Sequence, residues 1–127
     1  MIREPNSLLK LAEKDIEASY IILKSSNDEL LQNIAAYHTQ QAIEKILKHL
    51  KLENGDVAGT GHDIKMLYME VTILGCTVPE WVIDEAYDLS SWATTIRYNS
   101  NFKTNRNNIE LFNEKAIIWI NSLKDGF

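Results

Sequence analysis

The chain predicts an all-α fold, an antiparallel up-and-down bundle of about five helices with a four-helix-bundle-like core. Apolar residues recur at three- and four-residue spacing through most of its 127 residues. No segment sustains the alternation of a half-buried strand, and the breaks between periodic runs are mostly short. A chain of this length fits one helical domain spanning residues 1–127, which would bury roughly two thirds of its unfolded surface.

Each element has its own signals. The first helix is expected from about Ser7 to Lys24, entered through Pro5-Asn6-Ser7 and left through Ser25-Ser26-Asn27. Ser26 and Glu29 have capping-box spacing, which starts a second helix there and carries it to about Lys51. The stretch ENGDVAGTG, Glu53 to Gly61, holds three of the five glycines and reads as a loop. A third helix begins near His62-Asp63 and ends at Gly75. Thr77, Pro79 and Glu80 start a fourth, reaching about Tyr98, with proline near the first turn where its missing N–H costs nothing. RYNSNFKTNRNN, Arg97 to Asn108, reads as a polar connection, and Asn107 and Glu110 have capping-box spacing for a last helix to about Lys124.

Composition narrows the functional classes. Hydrophobic residues make up 45% and charged residues 24%, values ordinary for a soluble globular protein. No apolar run approaches the ~18 residues needed to span a membrane, and the opening MIREPNSLLK has no long apolar core of a secretion signal. A single cysteine, Cys76, excludes an internal disulfide framework. Together these lead to the expectation of a cytoplasmic protein. The net charge of −5 argues against general nucleic-acid affinity, which needs a broad basic surface. A local basic site could use Lys45, Lys48, His49 and Lys51, although cations at a helix C-terminus have a simpler role in complementing the dipole.

Polar residues interrupt several apolar faces. On the first helix Leu8, Leu11, Ala12, Ser19 and Ile22 gather on one side, with Asp15 in their midst. A carboxylate there needs a cationic or hydrogen-bonding partner, or a wet interface. On the second helix Leu30, Leu31, Ile34 and Ala35 form an early stripe, Ile43, Ile46, Leu47 and Leu50 a later one in another direction, and His38, Gln41 and Lys45 continue the first. A helix covered on two sides is expected at the centre of a bundle or between a bundle and a partner. Lys45 is a physically reasonable partner for Asp15. A buried structural network is the plain alternative to a ligand site.

On the fourth helix Val82, Ala86, Leu89, Ala93 and Ile96 form a stripe that ends at Arg97, whose guanidinium can clamp a phosphate or carboxylate or satisfy the last carbonyls of its helix. His62-Asp63 is most simply a capping pair. The three histidines are not spaced as a zinc motif, and GDVAGTG lacks the Gly-Lys-Ser/Thr ending of a phosphate loop. No nucleophilic triad is supported. Trp81, Trp92 and Trp119 fall in helical segments, as core or interface anchors do.

The order of these features, with Asp15, then YHTQQAIEKILKHL, then GHDI after the loop, then TIRY, resembles the HEPN domain family over nearly the whole chain. The most specific part is Gln-Gln-Ala-x-Glu-Lys at Gln40 to Lys45, followed by His62-Asp63 and by Arg97-Tyr98. The resemblance implies an antiparallel bundle that commonly forms a homodimer, with a polar cleft around the interface. It further implies kinship with metal-independent ribonucleases, with toxins paired with small nucleotidyltransferases, and with non-catalytic domains proposed to bind nucleotides. Ribonuclease members carry an Arg followed by four to six residues and a His. Arg97 matches the Arg, but the three positions for His hold Phe102, Lys103 and Thr104, none of which can act as an imidazole acid or base.

The expected function is therefore a dimeric, non-catalytic module that binds a nucleotide or RNA, a small nucleotidyltransferase, or both, with no cofactor and no metal. Candidate cleft residues are Asp15, His38, Gln41, Lys45, His62, Asp63, Arg97 and Tyr98, with Arg97 the one candidate for catalysis. A ribonuclease with a relocated acid/base and a purely structural interaction protein are the alternatives.

Overall fold

The computed structural model describes residues 7–124 apart from positions 60 and 62, and the side chains of Arg97 and Tyr98 also lie outside the described residues. Six helices occupy this span, with no strand among the described residues: α1 (Ser7–Ser25), α2 (Glu29–Glu53), α3 (Ile64–Ile73), α4 (Glu80–Asp84), α5 (Ala86–Tyr98) and α6 (Arg106–Lys124). The all-α helical bundle expected from the sequence is the fold observed.

The longest helix organises the rest. α2 touches α1, α3, α5 and α6, so most of its circumference is covered. Its buried residues include Ala35, Ala36 and Ala42, which let neighbours come close, and Ile43, Ile46 and Leu47, which fill the centre. From α1 come Leu9, Ala12, Ile16 and Leu23, and from α6 Ile109, Ala116 and Ile120. Truncating one such buried aliphatic to alanine costs about 2–5 kcal/mol. The α4–α5 stripe of Val82, Ala86, Leu89 and Ala93 is buried as its spacing implies. Trp81 stacks on Phe112 at 5.8 Å and meets Trp119 edge-on at 6.0 Å, while Trp92 tilts against Phe112, so the tryptophans anchor the core.

Helix ends differ from the expected ones in ways the side chains explain. α2 starts at Glu29 because Asp28 caps it, its carboxylate accepting from the N–H groups of Leu30 (2.8 Å) and Leu31 (3.0 Å). The Ser26 hydroxyl instead accepts from Asp28 N–H and shapes the preceding turn. Likewise α6 begins at Arg106, because Asn105, not Asn107, supplies the side-chain acceptor, for the N–H of Asn108. At the end of α3, Gly75 takes φ +93°, Cys76 N–H donates to the Val71 carbonyl and Gly75 N–H to that of Thr72. That is the Schellman arrangement, which favours glycine for its left-handed residue.

The fourth expected helix is two. Glu85, with φ −103° and ψ 9°, leaves the helical well and separates α4 from α5. Glu85 N–H still donates to Trp81 C=O and Leu89 N–H to Glu85 C=O, so the apolar periodicity runs through the break undisturbed. Periodicity therefore reads one helix where the backbone makes two.

Two apolar stripes are also corrected. The buried line of α1 is Leu9, Ala12, Ile16, Ser19 and Leu23, leaving Leu11 52% exposed, and in α2 the early residues Leu30, Leu31 and Ile34 are exposed rather than core. No helix among the described residues is long and apolar enough to cross a membrane.

Candidate functional site

Asp15, His38 and Lys45 meet on the seam between α1 and α2. Asp15 accepts from Lys45 Nζ at 2.5 Å through Oδ2, and its Oδ1 lies 3.0 Å from His38 Nδ1. His38 and Lys45 are seven residues apart, two helical turns, and an antiparallel neighbour places one carboxylate between them. The side chains of Asp15, His38 and Lys45 are 16%, 32% and 24% exposed, so the cluster is lodged in the surface without being sealed. Burial pushes the Asp15 carboxyl upward, but the hydrogen bonds from His38 and Lys45 and their positive charge outweigh it, and the group is held below its ordinary value. Its charged form is the one the site is built around.

Gln41 shares this side of α2, three residues after His38 and four before Lys45. Its side-chain amide donates to Gln40 Oε1 at 2.8 Å. Tyr37 turns to the other flank of α2, with its ring edge-on to that of His38 at 6.0 Å. There Leu30, Asn33, Ile34 and Tyr37 face Ile96, Asn99 and Ser100 across a cleft of about 500 Å³. Arg97 and Tyr98 end α5 at this point in the chain, although their side chains, like His62, lie outside the described residues. Asp63 stands elsewhere. It caps α3 by accepting from Lys65 N–H at 2.9 Å, and Ser90 Oγ is 3.4 Å from the same oxygen. The structure thus joins Asp15, His38 and Lys45, sets the Ile96–Asn99 cleft on the adjoining flank of α2, and places Asp63 with α3 and the start of α5.

The basic patch at the end of α2 does not form one surface. Lys48 reaches Glu44 at 3.7 Å, and Lys51 is buried with Glu70 at 2.8 Å and Asp56 at 3.8 Å. His49 is buried too, and burial holds its imidazole below the ordinary value against the opposing charge of Glu53.

Three sets of contacts around the site were not foreseen from the sequence. Asn33 Nδ2 donates to the Phe102 carbonyl (2.6 Å), Thr104 Oγ1 donates to Asn33 Oδ1 (2.9 Å), and Gln32 Nε2 donates to the Thr104 carbonyl (2.8 Å). These bonds tie the connection after α5 to the first turns of α2. Arg106 donates to the carbonyls of Leu23 and Ser26 and pairs with Glu110, so it caps the C-terminus of α1 from α6. Ser19, Thr39 and Asn113 close a buried ring: Thr39 Oγ1 to Asn113 Oδ1 at 2.6 Å, Asn113 Nδ2 to Ser19 Oγ at 2.9 Å, and the two hydroxyls 3.1 Å apart. For Asn33, Ser19, Thr39 and Asn113 a polar residue within an apolar helical run was the available signal, whereas Arg106, the first residue of α6, carried none. That signal could not name the partner.

Among the described residues no three His, Cys, Asp or Glu side chains converge as a metal-binding group. Comparison with curated proteins and with solved structures found no match in either. A family model described as HEPN domain matches residues 6–123, nearly the whole chain. With its helical bundle, its Gln-Gln-Ala-x-Glu-Lys stretch on α2 and Arg97 at the end of α5, this chain belongs to the HEPN domain family.

Proposed function

We propose that this chain is a non-catalytic, dimeric HEPN module that holds a nucleotide or an RNA end, and that it pairs with a small nucleotidyltransferase in a toxin–antitoxin-like arrangement. The observation that carries the non-catalytic reading is the fate of the three positions where ribonuclease members place a histidine. Phe102 packs against the core, Lys103 is exposed 3.7 Å from Glu29, and Thr104 is hydrogen-bonded to Gln32 and Asn33. In-line attack by a 2′-hydroxyl needs a proton acceptor and a donor at the phosphate, and a guanidinium supplies neither at neutral pH.

Binding is supported by the cleft beside the end of α5. Its volume of about 500 Å³ lies within the usual span for small-molecule sites. Leu30, Ile34, Tyr37 and Ile96 offer an apolar wall for a base, and Asn99 and Ser100 offer polar edges. We assign the phosphate to Arg97, which follows the wall residue Ile96 in the chain and carries a permanent charge. Calorimetry with ATP and with short RNAs tests this. Saturable heat that disappears in Arg97→Ala supports the reading, and absence of saturable heat with both ligands, repeated by fluorescence anisotropy, removes it. Co-purification with a small nucleotidyltransferase encoded next to this chain tests the pairing.

A ribonuclease reading is favoured by one observation, the orientation of His38. Asp15 engages Nδ1 and leaves Nε2 available for proton transfer. It requires RNA cleavage in excess chelator that is lost in both His38→Ala and Arg97→Ala. Cleavage surviving either change would exclude it.

A further inference from the structure

Helix α3 carries two apolar lines. Ile64, Leu67 and Val71 are buried against the bundle, and on the opposite side Met66, Met69 and Ile73 are 59%, 49% and 84% exposed. A surface helix keeps its apolar residues on the core side, and a helix apolar on both sides is one that something else covers. Beside it Ile83 and Tyr87, one turn apart, are exposed on α4 and α5, and Tyr87 lines a hollow of about 600 Å³ with Asp63 and Lys65 from the start of α3. Because α3 packs on both α4 and α5, the two exposed sets are neighbours on one outer face.

Charge decides what can cover this face. From Glu53 to Ile96 the chain holds eight carboxylates and a single lysine or arginine, Lys65, whereas the remainder holds ten carboxylates and twelve such cations. The negative charge is therefore concentrated in the segment that forms α3, α4 and most of α5. Glu80, Asp84 and Asp88 recur at four-residue spacing beside Ile83 and Tyr87, all three exposed, and they pair with no cation among the described residues. Such a rim repels a nucleic-acid backbone, an anionic membrane and the same face of a second copy.

A helix with an apolar stripe and lysine or arginine on its flanks satisfies both features at once. Methionine suits that contact, because its unbranched thioether side chain adapts to the shape it meets. We infer that the outer face of α3, with Ile83 and Tyr87, docks a basic amphipathic helix of another protein. Met66, Met69 and Ile73 receive its apolar stripe, and Glu80, Asp84 and Asp88 receive its cations. This face shares no residue with the cleft beside the end of α5, so its partner does not depend on the ligand proposed for that cleft.

Fluorescence anisotropy reads the docking, using the full chain and a labelled peptide of about 18 residues, long enough to hold a helix, with leucine on one face and lysine on the other. Saturable binding is expected, weakened roughly tenfold between about 0.05 M and about 0.5 M salt as screening grows. The same peptide with glutamate in place of lysine should not bind. Ile73→Gln should weaken binding roughly tenfold with an unchanged circular dichroism spectrum, and Met69→Gln serves the same purpose if Ile73→Gln does not fold. Asp84→Asn with Asp88→Asn should weaken binding and flatten its salt dependence, whereas Ile118→Gln, at an exposed isoleucine of α6, should bind as wild type does. Absence of saturable binding overturns the docking, and equal binding of the glutamate peptide overturns the part of the carboxylates. Ile118→Gln weakening binding as much as Ile73→Gln overturns the face. Self-association in light scattering, or binding to phosphatidylglycerol vesicles, that is lost in Ile73→Gln gives the face to a second copy or to a membrane and overturns the helical partner.

Discussion

Asp15 on α1 accepts from Lys45 at 2.5 Å and faces His38 Nδ1 at 3.0 Å, so one carboxylate holds two residues of α2 that stand two turns apart. Asp15→Ala would leave an ammonium and an imidazole without their acceptor in a half-buried seam. The expected loss in urea unfolding is about 1–3 kcal/mol, moderated because a lysine head can reach water along its flexible stem. The double change Asp15→Leu with Lys45→Met removes both charges and should cost less than the sum of its single changes.

The Ser19–Thr39–Asn113 ring joins three helices where all three residues are fully buried. Asn113→Ala removes the acceptor of Thr39 and the donor to Ser19, leaving the two buried hydroxyls each other and the Ala35 carbonyl, and should lower stability by about 1–3 kcal/mol. Lys115→Ala, two residues on, removes only a cation 6.0 Å from the centre of the Trp81 ring, and should stay within about 1 kcal/mol in the same titration.

The clamp from Gln32 and Asn33 onto Phe102 and Thr104 predicts a local effect rather than a global one. In Asn33→Ala the segment 99–105 should exchange its amide hydrogens faster while the α1 and α6 cores keep their protection. The stability loss should be about 1 kcal/mol, since the part-buried Phe102 carbonyl loses its donor and the Thr104 hydroxyl one of its two partners.

Acid should act on the fold in two stages. Burial holds the His49 imidazole below its ordinary value of 6.5, so the unfolded chain takes up a proton that the native one resists, and stability declines as pH falls through that value. Asp15 is lowered from 3.8, so its contribution is complete above that value and is lost as pH falls below it. Urea midpoints measured from about pH 8 to about pH 3, which bracket the two groups' reference values, should show both declines. His49→Gln should flatten the first, and Asp15→Asn the second.

The helices were legible in the chain because an amphipathic helix writes its burial as periodicity, and Val82, Ala86, Leu89 and Ala93 all lie buried where their spacing put them. The break at Glu85 was not legible, because one residue's departure in φ and ψ leaves the apolar spacing on either side unchanged. Caps were half legible: Asp63 caps α3 as expected, but in the Ser-Ser-Asn-Asp run before α2 several side chains could compete, and local geometry chose Asp28.

The residues of the polar seam followed the same division. Sequence alone determined that Asp15, His38, Gln41 and Lys45 sit on helix faces where apolar residues were due, and that no histidine follows Arg97 at the ribonuclease spacing. Only the tertiary structure decided that Asp15 lies between His38 and Lys45, that Gln41 bonds along its own helix, and that Leu11 and Ile34 stay open to solvent. A helical period fixes which residues share a face. It leaves unspecified which neighbour covers that face and in what register, and that is set by how α1, α2, α5 and α6 close on a common core.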